Sequence, residues 1–540
     1  VRIPRKTINP CHPQVQTPLK NPLAPLFVAV LFSPCLAEAR EVVSASAVKP
    51  NILFILTDDQ GYGDWGCTGH PLLKTPNVDR LAKESVRFEN FQVSASCSPT
   101  RAALLTGMHE FRNGVTHTQE PREHLWKGAT TLPQLLATAG YRTGFIGKWH
   151  LGNSDGYAPR DRGFQWCSTN KGGPREHFDP VMIRNCKPEK TKGYREDIYF
   201  DDAMRFMEES GEQPFFAYLS TYSPHDPLAA PEKFIAPFRG KVPEEQAKYL
   251  GMVANLDYNI GRLMAFLKDK GLDEKTIVVL ASDNGGTWGL DIYNANMRGC
   301  KATAWEGGTR VFSFWRWTGQ WPPHEVDNLT AHLDVLPTLC ELGGVKIPEK
   351  LQSELEGYSL LPLLESKKNI AWHEDRLLFQ HVARWPGGLA AEHKYAMAGV
   401  RQGNLLLVRS RPCDSPKCTT ENYGYQCATL RNVIKGGEEA TYTAKNAKFD
   451  WGFSAPGRWS LYDLKKDPSC EKDLAESQTE RVQTLAAAYD KWWDAVYPVM
   501  IERGGDRELQ WDKRLLAKKS ADSAEAQKSE NDSDGKEVKD

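Results

Sequence analysis

The run Cys97-Ser98-Pro99-Thr100-Arg101-Ala102-Ala103-Leu104-Leu105-Thr106-Gly107 places a thiol two residues before a proline and four before an arginine. Pro99 has a fixed φ and no N–H, which suits the first turn of a helix, and the residues after it favour helix until Gly107. The order predicts Cys97 at a helix N-terminus. Unpaired N–H groups and the positive end of the dipole favour an anion there, and Arg101 adds a permanent positive charge one turn along. A lone cysteine on a helix is more often a small buried hydrophobe, so a chemical role requires partners. Asp58-Asp59 follow the apolar run Asn51–Thr57, and Asp283-Asn284 follow the similar run Thr276–Ser282. Both runs read as buried parallel strands, whose carboxyl ends line the ligand crevice of an open α/β sheet. Adjacent carboxylates repel unless a cation lies between them, although a polar turn after a strand is the plainer reading of such a pair. Three carboxylates and a carboxamide are hard oxygen donors, suited to Ca²⁺ or Mg²⁺ and not to zinc. Lys148 and His150 follow the extended run from Tyr141 to Ile146, and His225 is bounded by prolines in Ser223-Pro224-His225-Asp226-Pro227, after another apolar run ending at Ser220. Taken alone, the first pair is a solvated loop and the second histidine a rigid turn residue.

Cys-x-Pro-x-Arg followed by Leu-Thr-Gly resembles the motif of the type I, formylglycine-dependent sulfatases, arylsulfatase-like members of the alkaline phosphatase superfamily. Gly147-Lys148-Trp149-His150-Leu151-Gly152, the strand-end aspartates, Lys301 ahead of Trp305-Glu306-Gly307-Gly308-Thr309-Arg310, and Leu461-Tyr462-Asp463-Leu464 before Asp467-Pro468 resemble the same family in the same order. Met108 departs from it, standing where the family often has arginine. The resemblance spans roughly Asn51 to Tyr497. It implies that a formylglycine-generating or anaerobic sulfatase-maturing enzyme oxidises Cys97 to formylglycine, and that Asp58, Asp59, Asp283 and Asn284 hold Ca²⁺, with Mg²⁺ as the alternative. The implied reaction is hydrolysis of a sulfate ester to an alcohol or phenol and inorganic sulfate. In it a hydrate oxygen of residue 97 attacks sulfur while Lys148, Lys301 and Arg101 offset negative charge. His225 or Lys301 protonates the leaving oxygen, and His150 then takes a proton so that sulfate is expelled. The family includes enzymes for aryl sulfates, for sulfated steroids and lipids and for sulfated polysaccharides, and a secreted member makes the polysaccharide class the preferred one.

These residues need a scaffold that brings distant strand ends together. Helical and extended patterns alternate from Asn51 onward, an α/β rhythm, with helices predicted over 78–85 and 132–139 and a strand over 309–314. The expected fold is a large mixed, mostly parallel sheet flanked by helices, alkaline-phosphatase-like, with a smaller C-terminal antiparallel sheet and a helix over 479–493. The chain divides as 1–39 signal peptide, 47–377 catalytic domain, 378–512 C-terminal subdomain and 513–540 disordered tail. Basic residues followed by the apolar run 23–32 and Ala37-Glu38-Ala39 read as a secretory leader, hence a secreted or periplasmic protein with no stable membrane span. With 540 residues, 68 basic against 69 acidic side chains and a net charge of −1, nothing points to nucleic acid as a partner. Setting Cys11, Cys35 and Cys97 aside from the twelve cysteines leaves an odd number, so at least one thiol stays unpaired. Cys413, Cys418 and Cys427 sit in an insert, 412–453, that fits the family less clearly.

Two other readings belong beside this one. A formylglycine-dependent phosphonate or phosphodiester hydrolase of the same superfamily shares the Cys-x-Pro-x-Arg run. An inactive secreted carbohydrate-binding protein would use some of the sixteen tryptophans for sugar stacking.

Overall fold

Charge-free runs of branched and aromatic residues are what a strand needs to lie in a sheet covered on both faces. Asn51–Thr57, Phe215–Ser220 and Thr276–Ser282 are such runs, and they lie side by side. The computed structural model describes residues 49–366, 372–410 and 457–510. The leader, Cys11, Cys35, Cys413, Cys418, Cys427, the insert 412–453 and the tail from 513 fall outside them.

In chain order the strands are β1 (Asn51–Thr57), β2 (Val86–Phe88), β3 (Phe91–Gln92), β4 (Arg142–Gly147), β5 (Trp166–Asn170), β6 (Val181–Arg184), β7 (Lys187–Lys190), β8 (Phe215–Ser220), β9 (Thr276–Ser282), β10 (Arg310–Val311), β11 (Ser313–Arg316), β12 (His324–Val326), β13 (Thr330–Ala331), β14 (Leu377–His381), β15 (Ala398–Gln402), β16 (Leu405–Arg409) and β17 (Ser460–Asp463). A ten-stranded sheet has the order β12-β2-β11-β9-β1-β8-β4-β5-β6-β7. Its centre, β9-β1-β8-β4-β5, is parallel. β11 is antiparallel to β9 and β2, and β6 and β7 finish the far edge antiparallel. β10-β3-β13 form a small sheet, and β14-β15-β16-β17 an antiparallel one.

The alternation of side chains along β1 explains the layers. Ile52, Phe54 and Leu56 pack with Leu104, Leu105, Leu132, Leu136, Val335 and Leu339 from three helices on one face. Leu53 and Ile55 pack on the other with Val78, Ile198, Phe206, Leu250 and Leu256, from helices Pro76–Lys83, Arg195–Ser210 and Glu244–Asp269. Among the described residues no helix is long and apolar enough to cross a membrane.

The parallel register sets the strand ends level. Thr57 lies opposite Ser282, Leu56 opposite Ser220, and Ser220 opposite Gly147. The loops that follow these four strands therefore leave one edge of the sheet as neighbours.

Three boundaries differ from the sequence pattern. The strand expected over 309–314 is two, β10 and β11, in different sheets, with Phe312 between them packed on Trp65 and Phe314. The helix expected over 78–85 starts earlier, at Pro76, where proline fits the first turn. The C-terminal helix runs Thr479–Glu502, past Trp493 and through Pro498, because Val496 and Met500 continue its buried face.

Phe111, in the short turn Glu110–Asn113 after helix Cys97–Thr106, inserts among Trp385, Trp492 and Trp493, with ring centroids 5.9, 5.9 and 6.2 Å away. It joins the C-terminal sheet and helix to the main body. Phe111→Ala is expected to cost about 3–5 kcal/mol, read as a lower midpoint in urea unfolding; an unchanged midpoint would mean that other contacts hold the two parts together.

Candidate active site

Helix Cys97–Thr106 begins after an extended Ser96 and stops at Gly107, whose φ is 66°. Its whole length is buried, so Cys97 and Arg101 reach the strand-end crevice from below, through the packed interior. Cys97 Sγ lies 3.4 Å from Asp58 Oδ1 and 3.7 Å from Asp59 Oδ1. Each carboxylate carries an ammonium: Lys148 Nζ is 2.5 Å from Asp58 Oδ2, and Lys301 Nζ is 2.6 Å from both oxygens of Asp59. Arg101 donates Nε and Nη2 to Asp283 Oδ2 at 3.1 and 2.8 Å. Its Nη1 donates to the Lys148 carbonyl at 2.7 Å and to Ser220 Oγ, so one guanidinium ties the ends of β4, β8 and β9 together.

Asp59 has a left-handed backbone, φ 63°, and its N–H donates to Asp283 Oδ1 at 3.1 Å. The turn beyond it is pinned by Asp64, which accepts from Gly61 N–H at 2.7 Å and Tyr249 OH at 2.6 Å. Asn284 Nδ2 donates to Asp59 Oδ1 at 2.9 Å. Glycines let the Lys301 loop approach: a Cβ on Gly285 would stand 1.8 Å from the Gly307 carbonyl, and Gly285 N–H donates to the Gly308 carbonyl at 3.0 Å.

The charges explain one another. Burial works against ionised Asp59, but His225, Lys301 and Lys148 outweigh it and hold this carboxyl below the usual range. Burial, together with the Asp58 charge, pushes Asp283 up to about 6 against the pull of Arg101 and Lys148. Burial, followed by Asp283, pushes the Cys97 thiol up, so it stays protonated at neutral pH. His225 is driven down to about 4 by burial, with Lys301 and Lys148 opposing the attraction of Asp59. Its Nδ1 lies 2.5 Å from the Asp226 carbonyl and so carries the hydrogen, leaving Nε2 to face Asp59 Oδ2 at 3.6 Å.

Ligand atoms of Asp58, Asp59, Cys97 and His225 lie within 4.8 Å of one another. Asn284 Oδ1, beside Asp59 and buried without a hydrogen-bond partner, adds an oxygen donor, and the oxygens of Asp58, Asp59 and Asn284 suit a hard divalent cation. Asp283 is engaged on both sides, Oδ1 by Asp59 N–H and Oδ2 by Arg101.

Of the residues singled out in the sequence, Asp58, Asp59, Cys97, Arg101, Lys148, His225, Asp283, Asn284 and Lys301 meet in this network. The ring of His150 is bonded elsewhere, with Nε2 2.9 Å from the Thr118 carbonyl and 3.3 Å from Glu123 Oε2. Ser220 and Tyr222 belong to the site and were not read from sequence. The Tyr222 ring lies 5.7 Å from Lys148 Nζ and 4.6 Å from the Arg195 guanidinium. Nothing in an aromatic beside a serine-proline turn signals this; only the end of β8 next to β4 creates it. Cys67, Cys97, Cys167, Cys300, Cys340 and Cys470 are free thiols, whereas Cys186 is disulfide-bonded.

A family model described as Sulfatase matches residues 50–345, more than half of the chain. The chain belongs to the sulfatase family. The sulfatase is 28% identical over 463 residues to human Arylsulfatase D, covering 67% of this chain and 76% of that one. Human Arylsulfatase A is 32% identical over 360 residues, with 59% and 68% covered, and N-acetylgalactosamine-6-sulfatase of Canis lupus familiaris is 31% identical over 359 residues, with 58% and 66% covered. The solved structure of Ps i-CgsB superposes with a TM-score of 0.70 at 25% identity, covering 87% of this chain and 98% of that one. The sulfatase thus has the alkaline-phosphatase-like fold of its family, and it is a sulfuric ester hydrolase.

Removing Arg101 would leave Asp283 buried beside Asp58 without its counter-charge. Arg101→Met is expected to destabilise the sulfatase by about 3–5 kcal/mol, measured by urea unfolding; wild-type stability would show that this guanidinium does not hold the strand ends.

Proposed function

We propose that this sulfatase cleaves the sulfate ester of a saccharide, R–O–SO₃⁻, to an alcohol and inorganic sulfate, with residue 97 matured from cysteine to formylglycine and Ca²⁺ or Mg²⁺ held by Asp58, Asp59, Asp283 and Asn284. The observation that carries the reading is the position of Cys97 at a helix N-terminus, its sulfur against two carboxylates that each bear an ammonium. A thiol held protonated by burial is a poor nucleophile in its own right, which favours maturation over cysteine-hydrolase chemistry. When present, the formylglycine hydrate supplies an oxygen nucleophile with a second hydroxyl, and the cation supplies charge neutralisation for the sulfate.

The chain's own residues do the rest. Lys148 and Lys301 offset the charge that would keep an anion away from a cleft of carboxylates. His225 or Lys301 supplies the proton for the leaving oxygen, and burial of the His225 imidazole, which holds its pKa low, favours Lys301. His150 accepts the proton whose removal lets sulfate go. Arg101 keeps the strand ends, and with them the reacting groups, in register.

N-acetylgalactosamine-6-sulfatase among the relatives supports a saccharide substrate. We read residues 47–377 as the catalytic domain and 378–512 as the subdomain that braces it. The leader through residue 39 directs the enzyme to the periplasm or the exterior, and a sulfatase-maturing enzyme is its partner in synthesis.

Peptide mass spectrometry across residue 97, after co-expression with a maturing enzyme, should find formylglycine; an unmodified cysteine, with a control sulfatase converted alongside, would sink the reading. Cys97→Ala should lower sulfate release from a sulfated oligosaccharide by roughly a thousandfold or more. Faster turnover of a phosphate diester than of any sulfate ester would favour the phosphodiester hydrolase instead.

Chelation is expected to abolish turnover and Ca²⁺ to restore it, with Asn284→Leu weakening Ca²⁺ binding about tenfold or more through loss of an oxygen donor. Calorimetry measures the change, and unaltered affinity would remove Asn284 from the ligand set.

A further inference from the structure

Only one of the two ring nitrogens of His150 has a hydrogen-bond partner. Nε2 lies 2.9 Å from the Thr118 carbonyl and 3.3 Å from Glu123 Oε2. A carbonyl and a carboxylate both accept, so the ring hydrogen is on Nε2. Nδ1 then holds the lone pair, and it is buried with no hydrogen-bond partner.

The segment that carries both acceptors is rigid. Thr116 and His117 N–H groups donate to the Arg122 carbonyl, and Arg122 and Glu123 N–H groups donate to that of Gln119. The Arg122 guanidinium in turn donates to Thr116 Oγ1 at 2.9 Å and to the Trp385 and Ala383 carbonyls at 2.7 and 3.0 Å. Glu123 is thus fixed from both sides, with its side chain only 13% exposed.

We propose that Glu123 is a positioning residue for His150. With the Thr118 carbonyl it holds the imidazole in the Nε2–H form, so that a proton taken up in turnover goes to Nδ1, and its carboxylate stabilises the imidazolium that results. The inference rests on the reading of His150 as proton acceptor and deepens it. In the transfer the donor's O–H bond breaks, its oxygen keeps the electron pair, the Nδ1–H bond forms, and the new positive charge on the ring faces Glu123. Other ionisable groups surround the ring. His117 interacts with it electrostatically and has Arg384 Nη1 3.5 Å from its Nε2, with Arg122 beyond; Lys148, two residues before His150, is committed to Asp58. His117 is kept neutral by burial and then by Arg384 and Arg122, and Glu123 is the carboxylate in contact with the His150 ring.

Selective ¹⁵N-histidine labelling of the full chain, with His150 assigned through His150→Gln, reads the tautomer on the resting protein. The expected spectrum has the hydrogen on Nε2 and Nδ1 bare. Glu123→Gln is expected to lower kcat about 10- to 100-fold with KM little changed, and to move the acidic limb of the kcat profile to lower pH, since the imidazolium loses its counter-charge; Glu123→Asp should recover part of kcat. A hydrogen on Nδ1 overturns the proposal. So does a Glu123→Gln enzyme whose acidic limb has not moved, even if kcat has fallen, because that loss would then be structural. The spectrum needs no turnover, so a chain that releases no sulfate fails the functional reading while the His150 assignment stands or falls by its own measurement.

Discussion

Three carboxylates share one buried crevice, and their mutual repulsion is the constraint on which the site depends. Two like charges 4 Å apart repel by about 4 kcal/mol at an effective dielectric near 20. Asp58, Asp59 and Asp283 are all fully buried, and they can lie together only because Arg101, Lys148 and Lys301 lie among them. Each cation comes from a different place: a helix beneath the sheet, the end of β4, and the loop after β9. The charge balance therefore exists only when the central strands are paired, and the proposed docking of an anionic ester uses the same cations.

The C-terminal part braces two segments of the main body. Glu306, in the run after Lys301, pairs with Arg401 of β15, and Trp305 packs on Tyr462 of β17 at 5.5 Å. Arg298 donates to the Cys470 carbonyl at 2.8 Å and lies over Trp305 at 5.2 Å. Arg122 likewise anchors the Thr118 and Glu123 segment, which holds the His150 ring, to the carbonyls of Ala383 and Trp385. Contacts made far along the chain thus set the positions of Lys301 and His150.

The two histidines are held with their hydrogens on opposite nitrogens. The Asp226 carbonyl fixes the hydrogen of His225 on Nδ1, and the Thr118 carbonyl fixes that of His150 on Nε2. A main-chain oxygen decides the tautomer in each case, so imidazoles of equal intrinsic chemistry present different nitrogens to their surroundings. Burial holds the pKa of the His225 imidazole low against the attraction of Asp59.

The sequence by itself determined the family, the fold class and most of the residues that meet in the site. Its clearest signals were local: an uninterrupted apolar run reads as a central strand, a carboxylate pair just after it falls at the strand's carboxyl end, and Pro99 with Gly107 bounds a helix. The split at Phe312, the reach of the C-terminal helix to Glu502 and the parts of Ser220, Tyr222 and Glu123 were not legible, because each depends on a neighbour distant in sequence. Glu123 is the plainest case. In Pro121-Arg122-Glu123-His124 nothing marks it apart from the other acids of a polar loop. Only the tertiary structure, by turning the chain at His150 and fixing Arg122 on carbonyls some 260 residues away in sequence, brings that carboxylate to the imidazole, and hydrogen bonds of about 3 Å cannot be read from spacing along a chain.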